Sequence, residues 1–97
     1  MSDLLLTAFG NLKIAIFEYE RHRENDGPHD NSTARSLDSY YRKEREFNHV
    51  LSLAIKETGQ VPEVAGEALL FQRSHGFHAR GLVKILSVHF NRAEAEL

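Results

Sequence analysis

The sequence predicts an all-α protein: a small four-helix domain in which a long antiparallel helical hairpin is followed by two shorter helices. Apolar residues recur at alternating spacings of three and four, which is the period of a helix with one buried face. The chain has only two prolines and six glycines, fewer than a turn-rich β-fold requires. A hydrophobic fraction of 41% in 97 residues fits one folded domain spanning 1–97.

The first helix is predicted at about 3–24. One apolar stripe follows the helical period along it, formed by Leu5, Phe9, Leu12, Ile16 and Tyr19. Ile14 and Phe17 lie off this stripe, which indicates that a second face of the helix is also covered.

The second helix is predicted at about 33–58, after a loop at 25–31 that contains Asp-Gly and Gly-Pro turn signals. Ser32 or Thr33 is predicted to cap its first turn. Gly59 suits the residue that ends a helix. Because the loop is short, the first two helices are expected to pack as an antiparallel hairpin.

The two shorter helices are predicted at about 62–75 and 78–95. Pro62 is suited to the first turn of the third helix, and Gly76 is expected to end it. Apolar residues cover more than half the circumference of the fourth helix. The sequence therefore predicts that the fourth helix lies centrally or at an interface.

Several function classes find no support in the sequence. The chain has no cysteine, so a thiolate metal site is excluded, and its six histidines lack a recognisable zinc-ligand spacing. There is no nucleophile–base arrangement and no glycine-rich phosphate loop. No apolar run approaches the length of a membrane helix, and no secretory signal is visible. We therefore expect a non-enzymatic protein without cofactor or metal, located in the cytoplasm and not in a membrane.

Apolar residues beyond the main stripes indicate an interface, because they exceed what one small core needs. The candidate dimer interface comprises Phe17, Tyr41, Leu86, His89 and Phe90. We predict a small protein–protein interaction or regulatory module that acts as a homodimer and binds or inhibits a partner protein.

The stretch 71–91 holds three histidines and three cations but no acid. Its candidate contacts to a partner protein or an anion are Arg73, His75, His78, Arg80 and Lys84. A helix that starts near His78 would offer free N–H groups to an anion. The alternative function is nucleic-acid binding through a helix-turn-helix-like segment at 68–92, with Gly76 as the turn glycine. The low density of cations makes nucleic acid the less favoured partner.

A third interpretation is phosphoryl or metal chemistry at His75 and His78. The string Gly76-Phe77-His78-Ala79-Arg80 locally resembles the phosphorylated-histidine loop of the phosphocarrier protein of the sugar phosphotransferase system. That family carries a proline where this chain has Gly81, and its fold is rich in β-structure. The likeness covers five residues and does not indicate membership.

Overall fold

The structure is a computed structural model that describes the backbone of residues 2–96 and the side chains of residues 3–89. It contains four helices: α1 (Ser2–Asp26), α2 (Asn31–Thr58), α3 (Glu63–Ser74) and α4 (Arg80–Glu96). The described residues contain no strand. The predicted fold class, two long packed helices followed by two shorter ones, is confirmed.

The α1–α2 hairpin forms the main body of the protein, because these two helices share the most extensive packing. The predicted apolar stripe of α1 is buried from Leu5 to Ile16, and Tyr19 is half-buried. On α2, Tyr40, Phe47 and Leu51 have at most 1% of their surface exposed. Side chains of this size dominate the hydrophobic stabilisation of a small domain.

The start of α2 differs from the prediction, because its N-cap is Asp30 and neither Ser32 nor Thr33. The Asp30 carboxylate accepts a hydrogen bond from the backbone N–H of Ser32 at 2.9 Å. Thr33 instead donates its hydroxyl to the carbonyl of Gly27 at 2.7 Å. A carboxylate is a stronger acceptor than a hydroxyl and also favours the positive end of the helix.

The end of α3 is a Schellman turn, in agreement with the prediction that Gly76 ends this helix. Gly76 has a φ of 87°, and its N–H donates to the Arg73 carbonyl at 3.1 Å. The N–H of Phe77 donates to the Gln72 carbonyl at 2.9 Å. These two bonds satisfy carbonyls that a helix end otherwise leaves free. They also direct Phe77 inward, where its ring stacks on Tyr40 with centroids 4.1 Å apart.

The last helix, α4, lies at the periphery, packed against α2 and α3. Of the α4 side chains that the structure describes, only Leu82 is buried. The expectation of a central helix is therefore wrong: the buried core lies mostly on α1, α2 and α3, and α4 adds Leu82 at its edge. The possibility of an interface on α4 stays a prediction. None of the described helices combines the length and the hydropathy that crossing a membrane requires.

Candidate functional site

The predicted partner contacts surround the turn between α3 and α4, which we call the basic corner and define as Arg73, His75, His78, Arg80 and Lys84. All of these except His75 are exposed. Arg80 and Lys84 are four residues apart on α4 and therefore share one face. The first turn of α4 carries no acidic residue, so its positive end is not neutralised by its own side chains.

His75 differs from the other members of the basic corner because its side chain is engaged within the protein. Its Nδ1 lies 2.8 Å from a carboxylate oxygen of Glu20 on α1. Its ring packs edge-on against Phe17, with centroids 5.6 Å apart, and lies 4.4 Å from the ring of Phe71. These contacts attach the end of α3 to α1, so His75 belongs to the fold more than to the exposed cationic surface.

The backbone at the corner adopts an uncommon conformation just before α4. Ala79 has a φ of 53°, a region that costs a residue with a Cβ roughly 1–2 kcal/mol. Its carbonyl accepts the first hydrogen bond of α4, from the N–H of Val83 at 3.0 Å. The side chain of Ala79 is buried, so core packing holds this conformation in place.

The predicted dimer-interface residues are spread over three helices. Phe17 on α1 and Tyr41 on α2 are 52% and 44% exposed. Leu86 on α4 is partly buried and packs against the core, so the fold already uses much of its apolar surface. His89 is half-buried, and the side chain of Phe90 lies outside the described residues.

A second apolar line on α1 stands out from the rest of the surface. We call it the outer stripe and define it as Leu6, Gly10, Ile14 and Phe17. Its three large members are 56%, 57% and 52% exposed in chain order. Spacings of four, four and three place the four positions on one face, about 135° around the helix from the core stripe at 100° per residue. Of these residues, the sequence indicates Ile14 and Phe17 as members of a second face. Gly10 interrupts the apolar pattern, so the sequence does not show that Leu6 and Ile14 belong to one continuous stripe.

The outer stripe is open from Leu6 to Ile14, whereas at its Phe17 end the rings of Phe71 and His75 pack edge-on against it. A Cβ placed on Gly10 would meet no atom within 4 Å, so the helix backbone is accessible at the centre of the stripe. The ammonium of Lys13 lies 4.4 Å from the centroid of the Phe9 ring. This contact places the Lys13 side chain on the flank of α1, beside the outer stripe. Asp3 and Arg21 are exposed near the two ends. Among the described side chains, neither of them forms an ion pair.

The polar network inside the protein is structural in character. The hydroxyl of Tyr40 lies 2.8 Å from Gln72 Oε1 and 2.8 Å from Glu44 Oε2. Burial, and then the hydrogen bond to Glu44, raise the pKa of Tyr40 above its ordinary value. Because Tyr40 is 1% and Gln72 0% exposed, neither group can reach a substrate from solution. Gln72 looks like a polar interruption in the sequence, and its partner is 32 residues away.

Within the described part of the chain, no three histidine or carboxylate side chains come together in a way that could hold a metal ion. Comparison of the chain with protein-family models, curated proteins and solved structures found no match.

Proposed function

We propose that the protein is a non-enzymatic interaction module, acting as a homodimer that binds or inhibits a partner protein, and that the outer stripe is the surface through which it associates. The observation that carries this proposal is the exposure of three large apolar side chains on one face of α1. Contiguous exposed apolar residues on a folded protein mark a surface that another molecule covers.

The position of the stripe on α1 supports the proposal. A helix with apolar residues on two faces is normally covered on both. α2 covers one face of α1, and α3 contacts the outer stripe only at Phe17, through the rings of Phe71 and His75. The stripe runs from residue 6 to residue 17, a length of about 16 Å at 1.5 Å per residue. That length matches three turns of a partner helix, the usual unit of helix-mediated recognition.

Photocrosslinking tests this function directly. A benzophenone amino acid at Ile14 should give crosslinked species of higher mass, either with the purified protein or in cells that express it. The matched control places the same group at Ser52, an exposed position on α2. Absence of any crosslink from position 14 in both settings, or equal crosslinking from both positions, would contradict the proposal.

Nucleic-acid binding through residues 68–92 is the second candidate function. It is supported by four exposed residues of the basic corner, Arg73, His78, Arg80 and Lys84. Residues 75–79 separate the two helices, a longer connection than the three or four residues of a helix-turn-helix, so this candidate ranks second. A salt titration of duplex DNA binding tests it, because phosphate contacts make affinity fall steeply with salt. No binding at low salt would exclude it.

A further inference from the structure

We propose that the surface covering the outer stripe is the outer stripe of a second copy of this chain, running antiparallel to the first. In this arrangement Ile14 of each copy lies against Gly10 of the other, and a two-fold axis passes level with Leu12. The inference rests on the proposed function and names the occupant of the surface.

Two antiparallel copies of α1 complement each other in size. Gly10 and Ile14 are equally far from Leu12 along α1, so an antiparallel two-fold axis at that level brings them face to face. The open backbone at Gly10 leaves room for the Ile14 side chain, which is 57% exposed. Thr7 and Phe17 are related in the same way, again a small residue opposite a large one. Such pairing lets two helices approach closely with their side chains interdigitated.

The charges at the two ends of the outer stripe are also complementary. Asp3 and Arg21 also lie at equal distances from Leu12, nine residues on either side. An antiparallel pair therefore places each carboxylate opposite the guanidinium of the other copy, once at each end. In a parallel pair, Asp3 of one copy would instead face Asp3 of the other, and Arg21 would face Arg21. Like charges at these positions would repel each other. The charges thus favour one orientation.

Lys13 is the cation of α1 that lies closest to the level of the two-fold axis. Two such ammonium groups would oppose each other across a dimer if they extended over the stripe. The ammonium instead lies over the Phe9 ring at 4.4 Å, on the flank of α1. This position leaves the centre of the stripe apolar.

A two-fold symmetric interface requires the same patch to complement itself. Three pairs on α1 meet this requirement, Gly10 with Ile14, Thr7 with Phe17 and Asp3 with Arg21, whereas Leu6 comes level with Glu18. Three large side chains per copy cover less area than a standard interface of about 800 Å² per partner. We therefore expect a weak, reversible dimer.

Sedimentation equilibrium over a wide concentration range tests the self-association. We expect a reversible monomer–dimer equilibrium that Ile14→Asp abolishes, while Leu53→Asp, at an exposed apolar position on α2, leaves it unchanged. Asp3→Arg and Arg21→Asp should each weaken the dimer at low salt by roughly tenfold, and the double variant should restore it. Circular dichroism verifies that each variant is folded.

The orientation has its own test, because the chain has no cysteine and single cysteines can be introduced freely. With a short bis-maleimide, Lys13→Cys should crosslink to its own copy, since it lies next to the axis. Thr7→Cys should not, because the two sulfurs would be separated by about 15 Å along the helices. Equal crosslinking at both positions would overturn the antiparallel arrangement.

The two proposals fail in different ways. A wild-type protein that stays monomeric up to several hundred micromolar overturns the second-copy inference. If position 14 then still crosslinks to a different protein in cells, the outer stripe remains an interaction surface for a partner protein, and only the homodimer part of the proposed function is wrong. If position 14 gives no crosslink in either setting, both proposals are wrong.

Discussion

Replacing Tyr40 with phenylalanine tests the buried polar link between α2 and α3. The ring stays, so the stacking on Phe77 is retained and only the hydroxyl is removed. Gln72 Oε1, which lies 2.8 Å from that hydroxyl in a side chain that is 0% exposed, loses its partner. A buried acceptor without a partner costs about 1–3 kcal/mol. We expect the free energy of unfolding to fall by that amount.

Urea denaturation followed by far-UV circular dichroism measures the effect. With a slope of about 1–3 kcal/mol per molar urea for a small domain, the midpoint should fall by about 1 M. Tyr41→Phe is the matched control, since Tyr41 is the adjacent residue and is 44% exposed. Its change should stay within about 0.5 kcal/mol.

A double-mutant cycle with Gln72→Leu isolates the pair. If the hydroxyl and the amide interact as described, the two substitutions should be non-additive by about 0.5–3 kcal/mol. The double variant then leaves neither group without its partner. Additive effects, or a Tyr40→Phe variant as stable as the wild type, would refute the reasoning.

Three further predictions concern single residues. Glu44→Gln should raise the free energy of unfolding by about 0.5–1 kcal/mol in urea denaturation. The new amide can donate to the Tyr40 oxygen, so the hydroxyl proton of Tyr40 is free to bond to Gln72 Oε1. A loss of stability above about 1 kcal/mol would contradict this. Gly76→Ala should destabilise the protein by about 1–2 kcal/mol, because Gly76 has a left-handed φ. Gly66→Ala, inside α3 with open space around it, should stabilise the protein by up to about 1 kcal/mol. The reverse order of the two variants in thermal unfolding would be incompatible with the Schellman turn. Hydrogen bonds from Ser32 lower the pKa of Asp30. The stabilising effect of the Asp30 carboxylate is therefore complete above the ordinary carboxyl pKa and is lost as the pH falls through the lowered pKa. Below about pH 4, an Asp30→Asn variant should lose less stability than the wild type, and parallel stability profiles of the two proteins would argue against this cap.

The positions of the helices can be predicted from the sequence, because helix ends depend on local chemistry. Gly59 and Gly76 adopt left-handed φ angles of 73° and 87°, which glycine reaches at the lowest cost. The cap of α2 is predicted wrongly for the same local reason. Asp30 and Ser32 lie two residues apart, and both side chains carry an oxygen that can cap a helix. The residue types alone therefore do not decide which of the two caps α2.

The pairings between distant residues could not be predicted. His75 and Glu20 are 55 residues apart in sequence, and Tyr40 and Gln72 are 32 apart. No periodicity relates such positions, since they meet only after the helices have packed. The sequence does indicate a second face on α1 through Ile14, but recognising an open stripe requires knowing which face α2 covers.

The dominance of the α1–α2 hairpin has a consequence for the order of folding. These helices are neighbours in sequence and are joined by a short turn, in which the N–H of Asp30 bonds to the Gly27 carbonyl. Bringing them together therefore costs little loop-closure entropy. Folding through such local contacts is fast, and the hairpin can form before α3 and α4 dock. In hydrogen exchange, amides of α4 should open while those at the centre of the hairpin stay protected until global unfolding.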